Sequence, residues 1–277
     1  MNFTTIAKAR KETGLAYLGN INSSAKMIKN KKVSNNYTYV IYLAPAKQSG
    51  YNACSHSTPE CRLGCLNTSG RSGMDITCGK LMVYNCRNKK TRLFYEQPEY
   101  FMAWMIAEIL FYQRKAIKDG YAFSIRLNGT SDIDWQNVKV NGQSIFEIFN
   151  QVQFYDYTKN INKYLDCPAN YHITYSYTGR NWLLCEDLLN TGQNIAIVFN
   201  ISKKQPLPLT YKGYQVINGD LTDYRPYDDK GCIVGLQWKH IADKKAEKKI
   251  LNSCFVVQAN VPECIYETSN VQEAVLV

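Results

Sequence analysis

Residues 121–127, Tyr-Ala-Phe-Ser-Ile-Arg-Leu, and residues 152–157, Val-Gln-Phe-Tyr-Asp-Tyr, are rich in β-branched and aromatic residues and predict two strands of a buried sheet. Six more runs of this kind follow residue 37, and helix-like stretches separate them. Strands that alternate with helices are typical of parallel pairing through right-handed crossovers. The eight predicted strands cover residues 38–43, 121–127, 152–157, 172–177, 194–199, 214–218, 232–237 and 254–258.

Eight strand–helix units predict an α/β protein with a (β/α)₈, TIM-barrel-like fold, either complete or distorted. An open doubly wound sheet is the alternative architecture. The longest helix is predicted over residues 98–118, where apolar side chains recur at helical spacing before Gly120. Shorter helices are predicted at residues 143–150, 159–166, 180–190 and 240–251.

The composition is that of a folded protein, because 45% of the 277 residues are hydrophobic and 20% are charged. Residues 1–36 are predicted to be a basic N-terminal extension, and residues 37–277 a single barrel-like domain with a cysteine-rich insertion at 46–92. The net charge, 33 − 23 = +10, favours nucleic acid or an anionic small molecule as a partner. A solvated basic face that binds nothing is the alternative.

Neither a membrane span nor an export signal is expected. The first residues carry charges without the apolar segment of a signal peptide. The most apolar stretch, residues 101–112, is shorter than the roughly 20 residues that a membrane-spanning helix needs. The expected location is therefore the cytoplasm of the cell in which the protein is made.

Three cysteines lie close together in the loop after the first predicted strand. Cys54, Cys61 and Cys65 have the spacing C-x6-C-x3-C, and Cys78 or His56 is the candidate fourth ligand. A disulfide framework would need an oxidising compartment. A structural zinc ion usually takes four ligands from CxxC-type knuckles. An iron–sulfur cluster also uses thiolates, and three cysteines leave one iron open. The sequence favours an iron–sulfur cluster, with zinc as the alternative.

Polar side chains follow the predicted strands at their carboxyl ends, where the active sites of such barrels lie. Arg126 and Lys159 are candidates for binding a carboxylate or phosphate. Asp132 and Asp156 are candidate acids or bases, or partners that orient these cations, and Tyr157 is a candidate proton donor or lining residue. A structural ion pair of Arg126 with either aspartate is the alternative. Candidate substrate-binding residues at the same ends are Asn128, Ser176, Arg180 and Asn200.

The position of the three cysteines, after the first strand of a predicted barrel, resembles that in radical S-adenosylmethionine enzymes. The resemblance implies an iron–sulfur cluster whose open iron binds S-adenosylmethionine. The motif departs from that family, whose spacing is C-x3-C-x2-C with an aromatic residue where this chain has Gly64. The glycine-rich cofactor strand is also missing, since the second strand ends Arg126-Leu127-Asn128-Gly129. S-adenosylmethionine is therefore a cofactor suggested by architecture alone.

Several sequence blocks, in their order, resemble the bacteriophage gene product 88 family. The blocks are Leu43-Ala44-Pro45-Ala46, the three cysteines through Thr68-Ser69-Gly70, Asn85 before a basic stretch, Arg126-Leu127-Asn128-Gly129-Thr130-Ser131-Asp132-Ile133, and Phe154-Tyr155-Asp156-Tyr157-Thr158-Lys159. The resemblance implies a phage-encoded protein that acts inside the infected cell, and it implies no particular activity.

Together these features predict an intracellular phage protein that holds an iron–sulfur cluster and acts on a nucleotide, nucleic acid or other anionic substrate at the mouth of a barrel. The alternative is a non-catalytic module that binds nucleic acid or a host protein, with a structural zinc or cysteine site. A fourth cysteine ligand would favour the alternative. An open coordination position that faces Arg126, Asp156 and Lys159 would favour the enzyme.

Overall fold

The structure is a computed structural model that describes residues 5–22, 25–202 and 205–258. Its α-helices are α1 (Ile6–Thr13), α2 (Ala25–Ser34), α3 (Pro59–Leu63), α4 (Gly70–Thr77), α5 (Met82–Glu96), α6 (Pro98–Asp119), α7 (Ile145–Ile148), α8 (Trp182–Asn190) and α9 (Lys244–Leu251). Its strands are β1 (Gly19–Asn20), β2 (Asn36–Ile41), β3 (Ala122–Arg126), β4 (Lys139–Val140), β5 (Gln143–Ser144), β6 (Gln153–Thr158), β7 (Tyr171–Ser176), β8 (Ile195–Phe199), β9 (Thr210–Tyr211), β10 (Tyr214–Asn218), β11 (Ile233–Gln237) and β12 (Val256–Val257).

A sheet of ten strands forms the centre of the molecule. Its order is β1-β2-β3-β6-β7-β8-β11-β10-β9, and β12 also pairs with β8. The short strands β1 and β9 run antiparallel to β2 and β10, and all other pairs are parallel. The carboxyl ends of the main strands therefore lie along one edge, which we call the carboxyl edge. Strands β4 and β5 form a separate hairpin.

The predicted TIM-barrel closure is wrong, because the sheet is open. A barrel would need the eight predicted strands to pair in chain order and the last to meet the first. Instead β11 lies between β8 and β10, which reverses the chain order. The final strand, β12, returns to β8 at Val256 and Val257, while β1 pairs with the edge of β2. The open-sheet alternative is the closer description.

The positions of the strands are confirmed, since all eight predicted segments form strands whose bounds lie within two residues of the prediction. The long helix is also confirmed as α6, which ends at Gly120 in the left-handed conformation with φ of 75°. Helices α1 to α5, which come before it, were not predicted. In the described part of the chain, no helix has both the length and the apolar character needed to cross a membrane.

The two faces of the sheet differ in chemistry because side chains alternate along each strand. On one face, Tyr39 and Ile125 pack with Trp104 of α6 in the main hydrophobic core. On the other face, Asn36 Nδ2 donates to Ser124 Oγ at 2.6 Å, and Tyr155 Oη donates to Thr38 Oγ1 at 3.2 Å. This second, polar face is called the inner face. Parallel sheets are covered on both sides, so its polar groups must find partners within the protein.

Glu108 connects the N-terminal segment to the core. This carboxylate of α6 is 1% exposed and accepts hydrogen bonds from the backbone N–H groups of Leu18 and Gly19 and from Tyr39 Oη, at 2.7 to 3.2 Å. Lys90 Nζ donates to Leu18 O at 2.7 Å. Burial raises the pKa of Glu108, and these hydrogen bonds only partly offset the rise. The boundary of the predicted extension at residue 36 stays a prediction, although β1 belongs to the sheet.

We expect Glu108→Ala to lower the free energy of unfolding by about 3 kcal/mol, because buried hydrogen-bond donors lose a charged acceptor. The measurement is urea unfolding followed by circular dichroism. Glu99→Ala is the matched control, because Glu99 is an exposed glutamate on the same helix. Its effect should stay within about 0.5 kcal/mol. Equal effects of the two substitutions would contradict the anchoring role of Glu108.

Candidate functional site

Residues 42–69, which carry Cys54, Cys61 and Cys65 and which we call the cysteine loop, lie at the carboxyl edge, as the chain order predicts. This loop follows β2, and the loop after β3 is bonded to it: Asp132 N donates to Ala53 O at 2.8 Å, and Thr130 Oγ1 donates to Leu43 O at 2.5 Å. Cys54 Sγ lies 4.0 Å from Thr130 O. The loops after the first two parallel strands therefore form one unit.

Burial and nearby groups raise the pKa of two thiols of this loop. Burial raises the pKa of Cys54 to about 11, and Cys65, Asp132 and Cys61 contribute to the rise. Burial also raises the pKa of Cys65, with Cys61 adding to the rise and a hydrogen bond from Asn67 N opposing it. Both thiols therefore lie in surroundings that disfavour the thiolate form. None of the nine cysteines in the described ranges forms a disulfide.

The predicted fourth ligands lie apart from this group. Cys78 is exposed at the end of α4, and it is absent from the charge interactions of the other thiols. His56 is exposed, and its Nδ1 lies 2.9 Å from Ser55 Oγ. Within residues 5–22, 25–202 and 205–258, no three or more His, Cys, Asp or Glu side chains are arranged to hold a metal ion.

Asp132 is engaged in structural contacts. Its carboxylate accepts hydrogen bonds from Thr158 Oγ1 at 2.7 Å, from Lys159 N at 2.9 Å and from Lys163 Nζ at 2.6 Å. Burial works against the charge, but Lys163 and the hydrogen bonds together lower the pKa of Asp132. Lys163 is 1% exposed and also donates to Ile133 O. This geometry ties the loop after β3 to the loop after β6.

Asn128 organises the loop after β3. Its Oδ1 accepts hydrogen bonds from Ser131 Oγ, Ile133 N and Trp135 Nε1, at 2.9 to 3.1 Å. Its backbone N–H donates to Asp156 Oδ1 at 3.0 Å. Asn128 is buried, so these contacts give it a positioning role in the loop.

Arg126 lies between two carboxylates beneath the carboxyl edge. Its Nη1 donates to Asp223 Oδ2 at 2.7 Å, its Nε lies 3.7 Å from Asp156 Oδ1, and its guanidinium lies 5.1 Å from the ring centre of Tyr157. Burial opposes the charge, but Asp223 and Asp156 outweigh burial and raise the pKa of Arg126. Arg126 and Asp156 are therefore neighbours, and Asp223 is the partner in hydrogen-bond contact.

The remaining predicted residues lie closer to solvent. Lys159 is half-buried, its Nζ lies 5.7 Å from the ring centre of Phe255, and its charge interacts with Cys65. Arg180 is exposed and pairs with Glu60 of α3 at 3.3 Å. Ser176 is half-buried at the end of β7, and the exposed Asn200 donates to Gln258 Oε1 at 2.8 Å. Asn200 is thus bonded to the segment after β12 rather than to the cysteine loop.

Sequence reasoning did not identify the contacts of Asp223, Lys163 and Arg87. Asp223 follows β10, and no local pattern marks its pairing with a residue 97 positions earlier. Arg87 belongs to a basic stretch that resembles a solvated face, yet it is half-buried, and its guanidinium lies over the ring of Tyr42. A surface concavity of about 630 Å³ lies elsewhere, against Glu12, Lys89 and Arg92.

Fold and site together define an α/β protein with an open, mainly parallel sheet and a cysteine loop at its carboxyl edge. The family model described as Gene product 88 matches residues 15–258. The chain therefore belongs to this phage protein family, which confirms the resemblance of its sequence blocks. The structure does not show the barrel that is typical of radical S-adenosylmethionine enzymes. No curated protein and no solved structure matches the chain.

Asp156 predicts a specific dependence of stability on pH. Burial raises its pKa from 3.8 to about 7, with Arg126 and Lys163 opposing the rise. The folded state thus holds this proton more tightly than the unfolded state. The contribution of Asp156 to the free energy of unfolding is therefore complete below about pH 4 and is lost as pH rises through about 7. We expect Asp156→Asn to remove this loss, which urea unfolding at a series of pH values measures. Parallel curves for the two proteins would contradict the shift.

Proposed function

We propose that the protein binds an iron–sulfur cluster through Cys54, Cys61 and Cys65 and acts there on an anionic substrate. The proposal rests on one observation: Cys54, Cys61 and Cys65 lie in a single loop that follows β2, and Cys54 Sγ contacts the loop after β3 at the carboxyl edge of a parallel sheet. In open α/β sheets, ligands bind outside the carboxyl ends of the strands. Thiolates are the ligands that iron–sulfur clusters and zinc prefer.

The residues fit such a group by donor chemistry, while their side chains are not arranged as a formed ligand set. Binding would therefore draw the sulfur atoms together. The loop offers room for this change, because the segment from Cys54 to Thr58 contains turns and no regular element. A cluster held by three cysteines would supply one iron that is open to a substrate or to S-adenosylmethionine.

The charged residues around the site would have two different roles, substrate attraction and positioning of the strand ends. Lys159 and Arg180 carry the positive charge at the rim of the site, so they would attract an anionic substrate. The backbone N–H of Lys159 is fixed by Asp132, which holds this residue near the thiols. Arg126 and Asp156 lie deeper, where the carboxylate of Asp223 already pairs with the guanidinium. We therefore assign Arg126 to positioning of the strand ends, and substrate charge to Lys159 and Arg180.

The first test is purification without oxygen, followed by an absorption spectrum and by iron, sulfide and zinc analysis. We expect broad absorption near about 400 nm with matching iron and sulfide, as thiolate-bound clusters show. Adding S-adenosylmethionine should then change the magnetic resonance signal of the cluster if the open iron binds it. Stoichiometric zinc without iron would show that the loop holds a structural zinc ion instead of a cluster. No metal at all would contradict the proposal.

Cys61→Ala should abolish metal binding, whereas Cys78→Ala should leave the metal content unchanged. Cys61 belongs to the interacting thiols, and Cys78 is exposed apart from them. Iron per chain, measured after identical reconstitution, distinguishes the two variants. Unchanged iron content in Cys61→Ala would show that this loop does not bind the metal. Loss of iron in Cys78→Ala would identify Cys78 as a fourth ligand.

A second candidate function is nucleic-acid binding, which α9 favours. This helix packs against α3 of the cysteine loop and exposes Lys245, Lys248 and Lys249, for which no ion pair with a described carboxylate is found. Replacing all three by serine should weaken binding to a DNA duplex and reduce the slope of log affinity against log salt by about 3, close to one per phosphate contact. A Lys115→Ser, Lys118→Ser variant of α6 is the control. Equal losses in both variants would indicate nonspecific attraction.

A further inference from the structure

We infer that the surface concavity between α1 and α5 binds a nucleoside monophosphate. Two cations would hold its phosphate, two carboxylates its ribose hydroxyl groups, and a carboxamide the edge of its base. The concavity has a volume of about 630 Å³, which lies within the range of small-molecule pockets. One wall is formed by Asn85 and the basic stretch that follows it on α5. None of the lining residues belongs to the cysteine loop, so the inference does not depend on a metal site there.

Lys89 and Arg92 form the positive end of the concavity. They are three residues apart on α5, so their side chains lie on one face of the helix. Neither forms an ion pair with a described carboxylate. Lys89 Nζ reaches the turn at Gly14 that ends α1, where an added Cβ atom would lie 3.5 Å from it. Arg92 Nε donates to Ser49 O at 3.1 Å, which fixes the guanidinium and leaves its Nη groups for a ligand. A phosphate accepts hydrogen bonds from an ammonium and, in pairs, from a guanidinium.

Two carboxylates in the same concavity favour a ligand that carries hydroxyl groups as well as an anion. Glu12 Oε2 accepts a hydrogen bond from Tyr100 Oη at 2.7 Å, and Glu96 Oε1 accepts one from Tyr51 Oη at 3.2 Å. A carboxylate has about four acceptor positions, so each glutamate keeps capacity for further donors. Both glutamates would repel a simple anion, whereas ribose hydroxyl groups donate to carboxylates, as they do in dinucleotide-binding folds. The mixture of charges therefore favours a nucleotide.

The order of these groups along α5 matches the order of base, ribose and phosphate. Glu96 is the last residue of the helix and Gln97 follows it, so a base at Gln97 and a ribose at Glu96 would extend toward Lys89. Lys89 and Gln97 are separated by about 12 Å along the helix axis, a span that a mononucleotide can cover. The Gln97 carboxamide offers a donor and an acceptor, as base edges require. The buried Leu15 and the half-buried Tyr100 supply apolar contacts for the base.

The experiment is calorimetric titration of the full chain with the common ribonucleoside 5′-monophosphates and with inorganic phosphate. We expect one or more of the nucleotides to bind at least about 10-fold more tightly than phosphate, because ribose and base add hydrogen bonds. Lys89→Gln should weaken this binding about 10-fold, because it removes a charge-assisted hydrogen bond to the phosphate. Lys89 is a better target than Arg92, which also supports the cysteine loop through Ser49. Lys80→Gln is the matched control, since Lys80 is an exposed lysine that precedes α5 and does not line the concavity.

The outcomes also separate this inference from the proposed function. No binding of any nucleotide would overturn the inference, and equal affinities for nucleotide and phosphate would reduce it to attraction of charge. Equal effects of Lys89→Gln and Lys80→Gln would overturn it as well, because they would place the ligand elsewhere on this basic protein. The 2′-deoxyribonucleotide should bind several-fold more weakly, since it lacks one donor to the glutamates, and equal affinity would overturn the ribose assignment. Cys61→Ala should bind the nucleotide as the parent protein does. Loss of binding in that variant would place the nucleotide at the cysteine loop instead.

Discussion

The ion pair of Arg126 with Asp223 is the constraint on which the rest of the structure depends. It joins the end of β3 to the loop after β10, which lies far along the sheet, so that loop must cross the inner face. Tyr155 reinforces the crossing, because its ring packs edge-on against Tyr224 and its hydroxyl lies 3.5 Å from Asp223 Oδ2. Arg225, which is 1% exposed, lies within the same loop.

This constraint determines what the carboxyl edge can do. A guanidinium held by two carboxylates has little capacity left for a substrate anion, and Asp132 is likewise occupied by Lys163. The deeper charges therefore stabilise the strand ends, while the accessible positive charge lies at the rim with Lys159 and Arg180. The cysteine loop, whose three thiols are half-buried, is the part of this edge that such ion pairs do not occupy.

The strands could be predicted from the sequence because β-branched and aromatic runs are local signals, and α6 because its spacing and Gly120 are local as well. The pairing order could not be predicted, because nothing within residues 232–237 indicates that β11 lies between β8 and β10. The same limit applies to the site. The position of Arg126 at a strand end was predictable, but its partner Asp223 depends on a loop crossing. Arg87 has the sequence context of a surface cation, and only the structure shows that it is half-buried, with its Nη1 donating to Asn67 and Ser72.

The placement of β12 has a consequence for how the chain folds during synthesis. Strand β7 pairs with β8 only at Ile195 and Ala196, and β12 pairs with β8 further on, at Val198 and Phe199. The last described strand thus completes a gap in the middle of the sheet, and Gly179 leaves room there for the backbone at Cys254 and Phe255. Until the ribosome releases that segment, the edge of β8 that faces the gap lacks a strand partner, although β11 pairs with the opposite edge. The central sheet can therefore be completed only after the segment that follows α9 has been synthesised.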